Sequence, residues 1–352
     1  MLQDYFGFIW IGSSQGLNCY NGNAIKTYKQ NNKDSLSITS NIINCLFEDS
    51  QKRLWIGTSY GGLNLYNREL DIFEHISFKD TNNFNPDNDI VNAIAESPDG
   101  NLFVGTKNGM LIFNPLTKTY SRYNHSNTNP FSIVGDNISV LMLDSKNRLW
   151  IGTSEYSGLG MYDLKMKSFK TFVDQVTERD TVGLKGLNTI CEDYLGRIWV
   201  GSRERGLSIF DPSVSQFVDI ANFNSTLKSN LLSRIWHIAK DSKNNLWIGS
   251  ANNGLFIYNI KENMVNNILP EETNKNGLSS PAITYCMEDN GQNMWFCTLG
   301  GGVNILRKIK NNFEFHTHIQ NENSLSNSFV SSFSKIKRVY MDRDRWWGIK
   351  QI

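Results

Sequence analysis

No strong charge of either sign marks this sequence. Its 35 Lys and Arg stand against 34 Asp and Glu, a net charge of +1. No basic surface for nucleic acid and no polyanion groove is therefore expected. Long apolar runs are missing too: none reaches the ~18 residues of a membrane-spanning helix, so no membrane contact by this region is expected. No charged-then-apolar leader opens the chain, and no signal peptide is expected within it. Cysteine is scarce. Cys19, Cys45, Cys191, Cys286 and Cys297 show no CxxC spacing and sit in apolar runs, which points to buried free thiols rather than disulfides or metal ligands. A phosphate loop, a nucleophile elbow and a zinc-hydrolase motif are all absent. His316-Thr-His318 alternates like metal ligands on a strand, but no acidic or histidine partner lies near it in sequence. No metal and no cofactor are expected.

What is present is a repeat. The chain has 352 residues, 39% of them hydrophobic and 12% aromatic, enough for two ordinary domains or one large repeat fold. An apolar-aromatic-apolar-Gly strand recurs around Trp10, Trp55, Phe103, Trp150, Trp199, Trp247 and Trp295, with Cys297 in the Gly place of the last. These anchors lie 45 to 49 residues apart. A period near fifty with several short strands per unit predicts an all-β chain, a seven-bladed β-propeller of four-stranded antiparallel blades. In the second unit the strands are expected at 42–47, 54–57, 63–66 and 72–76, with the first, nearly all apolar, innermost.

The turn into each anchor strand has its own chemistry. Six residues before the anchor stands Asp4, Asp49, Asp144, Asp193, Asp241 or Asp289, with Ser97 the exception. Such side chains accept turn amide hydrogen bonds, so these acids are turn-formers rather than catalysts. Three residues before the anchor come Gly7, Gly100, Asn147, Gly196 and Asn244, types that tolerate positive φ, while Lys52 and Gln292 break the pattern. The anchor tryptophans are read as inter-blade packing, each burying on the order of 200 Å².

These residues carry a family likeness. The run LWIGTSYGGLNLYN at 54–67 resembles the two-component regulator propeller repeat, and LQDYFGFIWIG at 2–12 with GLNCYNG at 16–22 looks like the first repeat of such sensors. The likeness recurs seven times along the chain. It implies the N-terminal, periplasmic sensor propeller of a hybrid histidine kinase and response regulator, of the kind found in gut bacteria that use complex polysaccharides. The partners it implies are an oligosaccharide ligand, a second propeller, further receptor domains down to the phosphorelay, and a homodimer as one assembly.

The ends depart from the repeat. Leu2-Gln3-Asp4 correspond to the end of an inner strand whose beginning is missing. Ser324 to Phe333 repeat the lead-in to an inner strand seen at Ser37 to Leu46. The expected division is a propeller over 1–322, an eighth inner segment over 323–333 able to close the first blade, and an aberrant tail over 334–352. Read one base on, the codons of Met341-Asp342 specify Trp, and favourable codons around them restore Ile-Trp-Ile-Gly at about the right period. A frame change near residue 334 is the expected cause, and a nucleotide sequence whose codons exclude that shifted frame would remove it.

Ligand sites on this architecture are expected on the face bearing the loops near 29–41, 80–89, 122–137, 174–187, 221–234, 266–282 and 318–328. Aligning the inner strands gives a ring of Asn44, Asn92, Ser139, Asn188, Trp236, Thr284 and Ser331. Trp236, flanked by Arg234 and His237, could stack on a sugar face while the arginine holds a carboxylate, or could simply plug an uneven channel. Glu155-Tyr156 and Arg203-Glu204-Arg205 are the second-to-third strand loops that depart most from the repeat. Candidate ligand-binding residues are thus Trp236, Arg234, His237, Arg203, Arg205, Tyr156, Asn44, Asn92 and Asn188, with no catalytic residue among them. Three functions compete: a sensor module without catalysis, a polysaccharide lyase or glycosidase on a propeller, and a structural spacer. The ring offers amides and hydroxyls rather than acid–base pairs, which favours the first.

Overall fold

The computed structural model describes residues 1–78, 85–155, 158–173, 184–220, 234–271, 277–308, 313–316 and 330–332, the last two stretches by backbone alone. The tail 334–352, most of the loops 174–187, 221–234 and 318–328, and Thr317 and His318 of the alternating histidine motif lie outside them. Seven antiparallel sheets make a seven-bladed β-propeller. Six have four strands in sequential order, and the sheet of blade 1 has a fifth. One short 3-10 helix, Pro86–Asp89, is the only helix among the described residues. In blade 2 the strands are Ile43–Glu48, Leu54–Thr58, Leu63–Asn67 and Ile72–Ile76, within about a residue of the sequence reading.

The inner position of blade 1 is filled from both ends of the chain. Leu2 and Gln3 pair with Trp10 and Ile9, while Ser332 and Val330 pair with Gly12 and Ser13 farther along the same strand. The register skips Ser331 there as it skips Asn44 between Ile43 and Cys45 in blade 2. The two segments together therefore reproduce one ordinary inner strand.

Each turn into a second strand is a clasp around one carboxylate. The anchor indole N–H donates to the Asp six residues earlier in every Trp blade, at 2.7 to 2.9 Å. The other oxygen collects turn amides, as Asp193 does from Leu195 and Arg197. Arg53, Arg148 and Arg197 pair with the same carboxylates at 2.6 to 2.7 Å. Blade 1 has Phe8 at that place, and Arg68 reaches across from blade 2 to Asp4 instead, at 2.7 Å. Blade 3 lacks both the acid and the indole: Ser97 stands with Phe103, so no ring N–H needs an acceptor. Lys52 and Gln292 adopt φ 65° and 62° all the same; with the turn amides tied to the carboxylate, the clasp outweighs their preference against positive φ.

Blades are latched to one another on this face as well. Ser50 donates through its amide and hydroxyl to Glu96 of the next blade, at 2.7 and 2.6 Å. Ser145 does the same to Glu192 and Ser242 to Glu288. Between these polar ends the blades meet through apolar clusters, such as Trp150, Leu159, Leu187, Ile198 and Phe210 at the blade 4/5 seam.

Removing one clasp leaves several buried donors without an acceptor. Asp193→Ala is expected to cost about 3–5 kcal/mol of unfolding free energy, against about 1 for Ser97→Ala. Urea denaturation measures both, and a cost under about 1 kcal/mol for Asp193→Ala would contradict the clasp's role.

Candidate functional site

The inner strands surround a channel cavity of about 320 Å³. Its wall includes Asn44, Asn92, Ser139, Asn188, Trp236, His237, Thr284 and Tyr285, together with Met1. No carboxylate, lysine or arginine is among the described residues that line it.

The polar ring has a structural task. Asn44 Nδ2 donates to the carbonyl of Val91 at the start of the next blade's inner strand, 3.1 Å away. Asn92 does the same to Ile138 at 2.9 Å, Ser139 to Leu187 at 2.5 Å, and Asn188 to Ile235 at 2.8 Å. These four blades are stitched to their neighbours one after another. Asn44 and Asn92, also bonded to each other at 3.2 Å, were expected to offer amides to a ligand. Each already spends a donor on the fold, as Asn188 does.

The series changes at blade 6. Trp236 is half-buried, and its indole N–H is enclosed without a hydrogen-bond partner among the described residues. His237 follows in the same wall. Its ring lies 3.8 Å from that of Tyr285, tilted by 33°, and its Nδ1 accepts the Cys286 N–H at 3.2 Å. That bond leaves the neutral ring's proton on Nε2. Tyr285 was missed in the sequence reading, although it occupies His237's column in the neighbouring repeat and could have been found there.

The charged candidates sit on the loop side of the channel. Arg203 and Arg234 are exposed. The Arg203 amide donates to Gly186 and the Arg234 carbonyl accepts from Ala251, at 2.8 and 3.0 Å. Arg205 is half-buried, its amide held by Ser202 Oγ at 3.0 Å. Glu155 accepts from Asn137 at 3.0 Å. Tyr156 lies outside the described residues. The eight candidates among the described residues thus divide into three stitching asparagines, a Trp–His pair in the wall and three arginines on the loop side.

The five cysteines are free thiols, and burial pushes those of Cys45, Cys191 and Cys297 up to about 12. None is poised as a nucleophile.

The family model for the two component regulator propeller matches residues 37–60, 132–155 and 231–252, the last spanning Trp236. Three stretches of this chain thus match the two component regulator propeller repeat. Among solved structures, the chain is similar to the extracellular domain of the putative hybrid two component system BT3049 from B. thetaiotaomicron, at 28% identity and a TM-score of 0.70. The match covers 92% of this chain and 41% of that one. The extracellular domain of BT4673 from the same organism matches at 22% identity and a TM-score of 0.69, over 91% of this chain and 38% of that one. Virginiamycin B lyase from Staphylococcus aureus matches at 14% identity and a TM-score of 0.58, over 84% of this chain and 92% of that one. These last two show a shared fold. No curated protein matches the chain. The chain spans less than half the length of these two extracellular domains, and no helix among the described residues is long and apolar enough to cross a membrane.

Burial, with a smaller contribution from the Met1 amine, lowers the His237 pKa from 6.5 to about 3. The unfolded chain then binds this proton more readily than the folded one. His237's contribution to stability is complete above pH 6.5 and is lost as pH falls toward 3. Between about pH 7 and 5, before most carboxylates titrate, wild type should lose more unfolding free energy than His237→Gln. Equal slopes in urea denaturation would contradict this.

Proposed function

We propose that this propeller is the extracytoplasmic recognition element of a hybrid two-component receptor, responding to carbohydrate breakdown products without catalysing a reaction. The observation that carries this reading is the 28% identity over nearly the whole chain to the extracellular domain of a hybrid two component system. In this reading the propeller lies in the periplasm, works beside a second propeller and further receptor domains, and transmits a change in domain or dimer packing. The division into 1–322, 323–333 and a shifted-frame tail 334–352 belongs to the same proposal.

The composition of the channel supports recognition over chemistry. Glycoside cleavage needs two opposed carboxyl groups, and the described cavity wall has none. Its one histidine has Nδ1 engaged by a backbone amide. A spacer role would leave the enclosed Trp236 N–H without a purpose.

Titration calorimetry of the full chain against size-fractionated polysaccharide hydrolysates, with mass spectrometry of the mixtures afterwards, tests the proposal. Saturable binding with no new products is expected. Conversion of any fraction would establish the enzyme reading, and absence of binding across the hydrolysates would favour the spacer.

A further inference from the structure

The seam between blades 5 and 6 combines two departures from the repeat. The first is in the wall. Where four successive blades send a side-chain donor to the next blade's carbonyl, Trp236 sends none, and its indole N–H is buried with no acceptor among the described residues. Buried donors in folded proteins are nearly always satisfied, and an unmet one in a cavity wall has room for an acceptor from outside. Beside it, His237 holds Nδ1 on the Cys286 amide and presents Nε2–H as a second donor. Two side-chain N–H groups mark this part of the cavity, with the Met1 amine near His237 and no charged side chain.

The second departure is at the rim. Gly201 of blade 5 faces Ile235 of blade 6 so closely that a Cβ on the glycine would stand 2.6 Å from Ile235. Arg203 lies two residues beyond Gly201, and Arg234 directly precedes Ile235. Both therefore stand at the loop end of this one seam, with Arg234 two residues before Trp236 in the same chain segment. On the adjoining seams the same two places hold Ser154 with Gly186 and Ala251 with Ala282. Arg203 and Arg234 are exposed, and neither guanidinium has a hydrogen bond or ion pair among the described residues. Free guanidinium groups suit the planar, multi-acceptor geometry of oxyanions.

We propose that the channel mouth at the blade 5/6 seam binds an acidic sugar, its carboxylate or sulfate held by Arg203 and Arg234 and its ring oxygens by the N–H groups of Trp236 and His237. The proposal deepens the recognition reading and rests on it. A cavity of about 320 Å³ is at the small end for ligand sites, which fits a short saccharide rather than a polymer chain.

Calorimetric titration of the full chain with D-glucuronate, D-glucose 6-sulfate and D-glucose tests it. At least one acid should bind, tenfold or more tightly than glucose, and its affinity should fall as salt rises. The double variant R203Q/R234Q should weaken acid binding at least tenfold, and W236F, which keeps a ring but loses the N–H, several-fold. Thermal unfolding within about 3 °C of wild type verifies that each variant is folded; R234Q alone serves if the double variant is not. Binding by only one acid tells a carboxylate site from a sulfate site. Equal binding of glucose and the acids, acid binding unaffected by R203Q/R234Q, or no acid binding would overturn the proposal. Binding of neutral saccharides alone would do so while leaving the recognition reading intact.

Discussion

The structure depends on how closely one blade's inner strand can lie against the next. The glycine two places after every anchor aromatic except Trp295, where Cys297 stands, makes the approach possible; at Gly201 the neighbouring Ile235 occupies the space a side chain would need. Once strands are this close, the carbonyl at the start of the next inner strand would be buried. A short polar side chain from the preceding blade meets it, Asn44, Asn92, Ser139 or Asn188. A hydrogen bond between buried partners adds modest stability, but leaving the carbonyl unmet would cost more. Close packing and polar stitching are thus one constraint, and the channel wall is polar because of it.

The same logic orders the opposite ends of these strands. A tryptophan buried in a second strand brings an N–H that must be satisfied, and the Asp of the preceding turn supplies the acceptor while ordering its own loop. Where the aromatic is Phe103 the acid gives way to Ser97. In blade 1, where the local arginine is missing, Arg68 comes from the neighbouring blade, and in blades 6 and 7 Asn245 and Asn293 bond the carboxylate instead. Among the described residues the Trp236 indole N–H is enclosed without a hydrogen-bond partner, as are guanidinium nitrogens of Arg68 and Arg148, and of these three only Trp236 lies in the channel wall.

Much of the fold was legible in the sequence, because a fifty-residue period repeated seven times overrides the ambiguity of any single short strand. The Asp–Trp spacing pointed to the turn, though not to the indole bond inside it. The ring of Asn44, Asn92 and Asn188 was found by alignment, but its task was not. Residue type reveals an amide; only the opposing backbone reveals which carbonyl takes its proton. Arg68 and Tyr285 act across blade boundaries, where spacing within one repeat carries no signal. Lys52 and Gln292 looked like breaks in a pattern of positive-φ residues because intrinsic preference was weighed without the clasp that overrides it.

If the polar ring is stitching, its amides must contribute to stability in the absence of any ligand. The unfolding free energies of Asn92→Ala and Asn188→Ala, measured by urea denaturation of the ligand-free chain, test this directly. Each substitution strands a buried carbonyl and should lower stability by about 1–3 kcal/mol. Values unchanged within about 0.5 kcal/mol, as for an exposed surface substitution, would mean that the ring is not what holds the blades together.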